Sequence, residues 1–315
     1  MNHAVKKRRA TLTIRILKRV GREITLLLQW AYLCTLAIPA LWLKGIISFP
    51  LTVSRGYLAF LLLSDATVVK LAASKRSTIG REYANYIWLT QRQPSLVGIL
   101  PNYRYSRNAL FSWLQSERLS PVPVAEVLPL AVAARRELDG SMCAAARLVP
   151  EQCPQIVAGL RCIETQFGAR AAEGLRAVVA DFLATGRYDV RFAHGDFHSR
   201  NLMRDPSGHV RLIDLDCVRL NGIAEFDALY FALEMEWSAS GVLWTETLTY
   251  CFATQGQNIA RYLAAFGVPW ADALGFAFFL DRVGQDFLNY GFWYTTEQLA
   301  SVVDASQSST AAGNQ

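Results

Sequence analysis

The sequence predicts an α+β protein in two parts, a small strand-built lobe followed by a larger helical one. Three observations predict it. Residues 46–72 read as short apolar strands separated by turn residues. Beyond the Pro-rich stretch Ser120–Val124 the apolar residues recur at helical spacing. A single strand–loop–strand unit at 190–215 interrupts those helices. With 315 residues, 52% hydrophobic and 18% charged, the chain is long enough to bury a core and is too apolar for wholesale disorder.

The first 45 residues stand apart. Residues 1–22 hold eight cations and no acid, whereas the rest of the chain carries 24 basic against 26 acidic side chains. A near-neutral body with a cationic arm argues against a body-wide nucleic-acid surface. Ile16, Leu17, Val20 and Ile24 fall on one helical face, with Arg15, Lys18, Arg19 and Arg22 opposite. Such a helix either lies in the interface of an anionic membrane or packs on a core with its polar face in water. Residues 24–43 then run for 20 positions without a charge, broken by Gln29 and Pro39. That length spans a bilayer, and the cations before it, against Lys44 after it, keep the amino terminus in the cytoplasm. Whether the stretch spans, dips in or lies flat is open at this level.

The remaining elements follow in order. The strands of 46–72 are IISFPLTVS, YLAFLLL and ATVVKLA, with turns at Arg55-Gly56 and Ser64-Asp65. A helix is expected over 79–92, with Arg81 and Glu82 at its start, and a strand pair near 96–100 and 109–114. The joint falls at 115–121. Helices fill 122–188 and resume after the 190–215 unit to about residue 303, and SQSSTAAGNQ reads as a disordered tail. The expected domains are therefore 1–45 (membrane-associating), 46–118 (small lobe), 119–303 (helical lobe) and 304–315 (tail). Six scattered cysteines with no C-x-x-C pair read as reduced thiols, not as staples or a zinc site.

The informative stretch is RFAHGDFHSRNLMRDPSGHVRLIDLDCVRL. Two short strands around the Pro206–Gly208 turn would hold Asp196, Asn201 and Asp214 near one another. Phosphoryl transfer needs such a set: one carboxylate accepts a hydrogen bond from the attacking hydroxyl, and a carboxylate with an amide oxygen suits Mg²⁺. His194, Asp196 and His198 also form H-x-D-x-H, but no second His/Cys cluster accompanies them, which argues against a transition metal.

The pattern His194-Gly195-Asp196, Asn201, Ile213-Asp214 resembles the protein-kinase-like phosphotransferases. That group includes the aminoglycoside phosphotransferases, the choline kinases and the lipopolysaccharide core kinases. The resemblance implies a bilobal kinase-like fold using ATP and Mg²⁺. It implies Asp196 as catalytic base, Asn201 and Asp214 as metal ligands, His194 as a loop brace and Asp227 as a structural acid. Asp216, the second acid of L-I-D-L-D, is similar to the form found in kinases of the lipopolysaccharide sugar Kdo. In the small lobe, Lys70 and Glu82 match the strand lysine that contacts the α/β-phosphates and its helix partner. The glycine-rich loop is reduced to Gly56.

The acceptor expected is a hydroxyl of a sugar, lipid-linked, of the lipopolysaccharide inner core. Because ATP is cytosolic, a simple span would strand the site outside. The expectation is therefore a peripheral or re-entrant anchor, through residues 1–45, on the cytoplasmic side of the inner membrane. Two alternatives stand beside it: a soluble cytoplasmic kinase of aminoglycoside or choline type, whose hydrophobic start only packs on the small lobe, and a non-catalytic pseudokinase scaffold. Arg200 and Arg204 face either an acidic acceptor or water. The aromatic residues Tyr230, Trp237, Trp244, Trp270, Trp293 and Tyr294 are mostly core, with some free to wall an acceptor pocket.

Overall fold

The computed structural model describes residues 28, 31–55, 60–72, 78–108, 111–139, 148–185 and 188–313. The amphipathic helix expected before residue 24 and the Gly56 turn lie outside the described residues. The chain divides into two compact units, residues 1–80 with 102–118, and residues 81–101 with 119–315.

The first unit is a five-stranded antiparallel sheet in the order β1-β2-β3-β5-β4. Its strands are β1 (Thr52–Arg55), β2 (Phe60–Leu63), β3 (Thr67–Ala72), β4 (Arg104–Arg107) and β5 (Ser112–Glu117). Alternation of side chains along β2 and β3 sends Phe60, Leu62, Val69 and Leu71 to one face. A π-helical turn (Leu33–Ala37) running into α1 (Ile38–Leu43) covers that face with Ala37 and Leu41. Lys70 lies on the other face, opposite Leu61 on β2 and Leu114 on β5. The expected strand at 96–100 is instead a 3-10 turn, Pro94–Gly98. Pro94 has no amide to give a ladder and suits the first turn of a helix. The strand expected from residue 109 begins at Ser112, and its hairpin partner is β4.

The second unit begins within α2 (Ile79–Arg92), as the spacing predicts. It then takes in residues 93–101, which the sequence reading gave to the small lobe. Hydrogen bonds explain this. Leu212 N–H donates to Ile99 O at 2.7 Å, and Arg211 Nη1 donates to Gly98 O at 2.7 Å. The helices are α3 (Val124–Asp139), α4 (Pro154–Phe167), α5 (Ala169–Thr185), α6 (Ala224–Ser240), α7 (Trp244–Thr254), α8 (Ala260–Phe266), α9 (Asp272–Tyr290) and α10 (Thr296–Gly313). Helix α10 runs through the segment expected to be a disordered tail. Leu299, Val302 and Val303 recur at helical spacing and are fully buried, and that face holds the helix. Three short strands, β6 (Ser120–Pro121), β8 (Leu202–Arg204) and β9 (Val210–Leu212), form one small sheet. A two-stranded ribbon pairs β7 (Val190–Ala193) with β10 (Arg219–Ile223), where helix was expected instead of β10.

Helices α4 and α9 cross at near backbone contact. A Cβ on Gly284 would meet Gln155 O at 1.8 Å, and one on Gly159 would meet Leu280 O at 2.1 Å. Only glycine allows that approach. The crossing fixes the height at which α9 presents its polar side chains to the loop after β7.

Candidate active site

The loop after β7 is built around one buried acid. Asp227, in the first turn of α6, accepts from the backbone N–H of His194 at 2.7 Å and of Gly195 at 2.9 Å. Arg135 of α3 donates Nη1 to the same carboxylate at 2.9 Å and also to Phe192 O at 3.1 Å. A buried ion pair whose acid also accepts two backbone amides is rigid, and here it sets the loop backbone. Gly195 sits at φ +75°, and a Cβ there would meet Cys217 O at 2.3 Å. The glycine of the motif is thus required twice, by dihedral and by space.

His194 is completely buried. Its Nδ1 accepts from Asp196 N–H at 3.3 Å, which leaves Nε2 protonated to donate to Ile213 O at 2.9 Å. The ring therefore ties the Asp196 loop to the strand end that leads into Asp214. Ile213 N–H donates to Asn201 O at 3.0 Å, so the hairpin closes Asn201 against the same strand end. Asp214 itself adopts a left-handed backbone, φ 65°, an uncommon state for a non-glycine residue and one that collects at functional sites.

Asp196 is the focus of this network. Asn201 Nδ2 donates to Asp196 O at 2.8 Å and to Oδ2 at 3.3 Å, and His198 Nε2 lies 3.4 Å from Oδ2. Arg282 Nη1 donates to Oδ1 at 2.8 Å. Burial pushes the carboxyl up, but the charge of Arg282 and then the bond to His198 outweigh it and hold the group well below the usual carboxylate range. Arg282 lies over the Tyr230 ring, 4.3 Å from guanidinium to centroid, and its Nε is 3.6 Å from Asp286. Gln285, one turn along α9, donates to Gly195 O at 2.7 Å. Arg219 pairs with Asp281 at 2.5 Å and also bonds Gln285.

Asp216 points elsewhere. It is buried, 3.4 Å from Arg81 Nη2, and accepts from Tyr290 OH at 3.1 Å. Arg81 also donates to Asn289 Oδ1 at 3.1 Å, and Asn85 donates to Leu215 O at 2.7 Å. The helix that carries Glu82 is thus bonded to the segment that carries Asp214. Glu82 is buried in that helix, whereas Lys70 belongs to the sheet of the first unit. His198 is buried, with its ring T-shaped to that of Tyr230, centroids 5.8 Å apart. Arg204 pairs with Glu126, and Arg200 is exposed with Glu234 3.9 Å away.

Sequence reasoning missed Arg282, Gln285, Arg135 and Arg81. One signal was present for the α9 pair. Asp281, Arg282, Gln285 and Asp286 follow directly on the apolar run Gly275–Leu280, and charges in a buried helix require partners. Arg135 and Arg81 carry no comparable mark.

Asp214 and Asn201 offer oxygen donors, which suits a hard cation. The amide of Asn201 is oriented by its nitrogen, which is spent on Asp196. Among the described residues no group of three or more His, Cys, Asp or Glu is arranged to hold a metal. A cation here would complete its shell with phosphate oxygens and water.

Known proteins carry the same fold. Choline kinase LicA from Streptococcus pneumoniae superposes with a TM-score of 0.55 at 14% identity, covering 86% of this chain and 98% of that one. A thermostable mutant of aminoglycoside phosphotransferase APH(4)-Ia, in ternary complex with ADP and hygromycin B, gives 0.52 at 12% identity over 89% and 99%. ADP-bound aminoglycoside phosphotransferase APH(2'')-Ib gives 0.52 at 13% identity over 86% and 97%. No match is found among curated protein sequences. The model of the phosphotransferase enzyme family matches residues 53–267, well over half of the chain, and takes in His194, Asp196, Asn201, Asp214 and Asp227. The chain belongs to that phosphotransferase family, and is a kinase acting on a hydroxyl group.

Proposed function

We propose that the protein transfers the γ-phosphoryl group of ATP to a hydroxyl of a sugar acceptor, lipid-linked, at the cytoplasmic face of the inner membrane. The observation that carries the chemistry is the convergence on one loop of Asp196, Asn201 and the strand end before Asp214, pinned by His194 and Asp227. Asp196 accepts a hydrogen bond from the acceptor hydroxyl and aims its oxygen at the γ-phosphorus. The new O–P bond forms as the bond to the ADP oxygen breaks, and the hydroxyl proton passes to Asp196 and then to water. Magnesium held by Asn201 and Asp214 would neutralise the triphosphate charge. By its match to the kinase strand lysine, Lys70 is the residue proposed to contact the α/β-phosphates. The site works by placement and charge more than by proton abstraction, since a carboxylate held ionised by Arg282 is a weak base.

A lipid-linked sugar acid of the lipopolysaccharide inner core is favoured by the form H-G-D-F-H-S-R-N with L-I-D-L-D, and by the cationic arm of residues 1–22. One observation favours a soluble acceptor of the aminoglycoside or choline type instead: α1 packs Ala37 and Leu41 into the core of the first unit, so part of the apolar start has a structural duty. The test is incubation of the full chain with labelled ATP and a panel of lipopolysaccharide cores, aminoglycosides and amino alcohols. Label in a core sugar supports the reading. Label only in a soluble alcohol replaces it, and MgATP binding with no transfer to any acceptor points to a scaffold.

A further inference from the structure

The helix of residues 31–43 has two apolar faces, and among the described residues only one of them is packed. Ala37 and Leu41 are fully buried against Phe60, Leu62, Val69, Leu71 and Phe111. Leu36, Trp42, Leu43 and Phe49 are exposed, Leu43 by 77% and Trp42 by 52%. They form a patch and not scattered residues: Trp42 and Phe49 meet edge to face with centroids 6.3 Å apart, and Leu43 and the exposed Lys44 follow directly. Contiguous apolar surface of this kind marks a contact site.

We propose that this patch docks flat into the interface of an anionic bilayer, with the opposite face of the same helix bolted to the sheet, so that the segment lies on the membrane and does not cross it. The inference deepens the membrane location proposed above. Charge identifies the occupant. Residues 1–64 contain ten cations and a single acid, Glu23, and between Ile24 and Ser64 there is no acid at all. Anionic headgroups complement that sequence charge, whereas a second copy of the chain would bring the same positive charge against it. Tryptophan beside lysine at the edge of an apolar face is the composition that settles at headgroup depth. Burial decides the geometry. Ala37 and Leu41 cannot face lipid while they fill the sheet's core, and among the described residues no helix is long and apolar enough to cross a membrane.

The test is flotation of the full chain with vesicles of phosphatidylglycerol and phosphatidylethanolamine, and with vesicles of phosphatidylcholine alone. Wild type floats with the anionic vesicles, less so as salt rises, and scarcely with the neutral ones. Combined Trp42→Ser, Leu43→Ser and Phe49→Ser lowers anionic-vesicle affinity at least about ten-fold. Its melting transition and MgATP binding match wild type, because these side chains pack little within the protein. Alkaline carbonate releases the wild-type chain from native membranes. Three results overturn the proposal: equal flotation of wild type and triple variant, retention of wild type in the carbonate pellet, or a dimer that the triple substitution dissociates without any vesicle binding. Flotation without phosphotransfer would sink the kinase assignment and leave the docking surface standing. Transfer to a soluble acceptor without flotation would do the reverse.

Discussion

The guanidinium of Arg282 holds the carboxylate of Asp196, Nη1 to Oδ1 at 2.8 Å, where each side chain is only 15% exposed. The two residues lie far apart in sequence and meet because α9 passes beneath the loop after β7. The same guanidinium reaches Gly195 O at 3.4 Å and rests on Tyr230, so it fixes both the position and the charge of the acid proposed as the catalytic base.

Arg282→Met is expected to lower kcat by about 100-fold, since a misaimed catalytic group costs roughly that much. MgATP affinity is expected to change little, because Arg282 bonds Asp196 and Gly195 and not the proposed metal ligands Asn201 and Asp214. Arg282→Lys recovers part of the rate by restoring the charge without the fork. Steady-state kinetics with calorimetric nucleotide titration separates these effects, and an unchanged kcat in the methionine variant would remove Arg282 from the reaction.

Asp196→Ala and Asp214→Ala should fail differently. The first abolishes transfer and leaves MgATP binding nearly intact. The second weakens nucleotide binding in magnesium but not in its absence. Titrations with and without the metal read both outcomes, and near-normal transfer by Asp196→Ala would refute the role assigned to it.

Asp227→Ala removes the acceptor of two loop amides and strands Arg135 without its buried partner. Breaking a buried pair from one side costs about 3–5 kcal/mol. Urea unfolding should show a loss of that order in the second unit, together with loss of transfer. A change below about 1 kcal/mol, the scale of an exposed pair, would mean that the loop is held by other contacts.

Gly284→Ala places a Cβ 1.8 Å from a backbone oxygen that cannot rotate away. The helices must part, at a cost of about 1–3 kcal/mol or more. The shift displaces Arg282, so activity falls with stability. Gly174→Ala on α5, where a Cβ meets nothing within 4 Å, is the control and should be neutral or slightly stabilising.

Thiol labelling reads the core directly. Burial pushes the Cys153 and Cys251 thiols up to about 11, so at pH 8 both are protonated and unreactive as well as enclosed. Cys34 is exposed. Peptide mapping after brief alkylation of the native protein should find Cys34 modified, and Cys153, Cys162, Cys217 and Cys251 modified only after unfolding.

Much of the site was legible because its parts are close in sequence. His194, Asp196, Asn201 and Asp214 flank one hairpin, and a Pro-Ser-Gly turn between its two short strands announces how they fold back. The helix of α2 was equally plain, since its apolar residues repeat at one period over its whole length. Short elements were read less well. Residues 94–98 are apolar enough for a strand, but Pro94 and the bonds from Leu212 and Arg211 make them a turn. Strand β10 was missed because Arg219-Leu220-Asn221-Gly222 has no strand pattern and is strand only through its pairing with β7. The tail was misread because its polar, small residues carry no apolar pattern of their own and only continue the helix that Leu299, Val302 and Val303 hold just before them.

The chain's own order of residues determined the two-part α+β class, the phosphotransferase family motif of the HGD loop and the positive charge of the amino terminus. Each of these is a local property, written in neighbouring side chains. Tertiary structure alone decided that Arg282 and Arg135 brace that loop, that Asp216 serves the Glu82 helix, and that the apolar stretch after residue 30 spends one face on the sheet. These depend on which helix crosses which strand. Burial makes such choices compulsory, since a charge or an apolar face removed from water must meet whatever partner the fold brings to it.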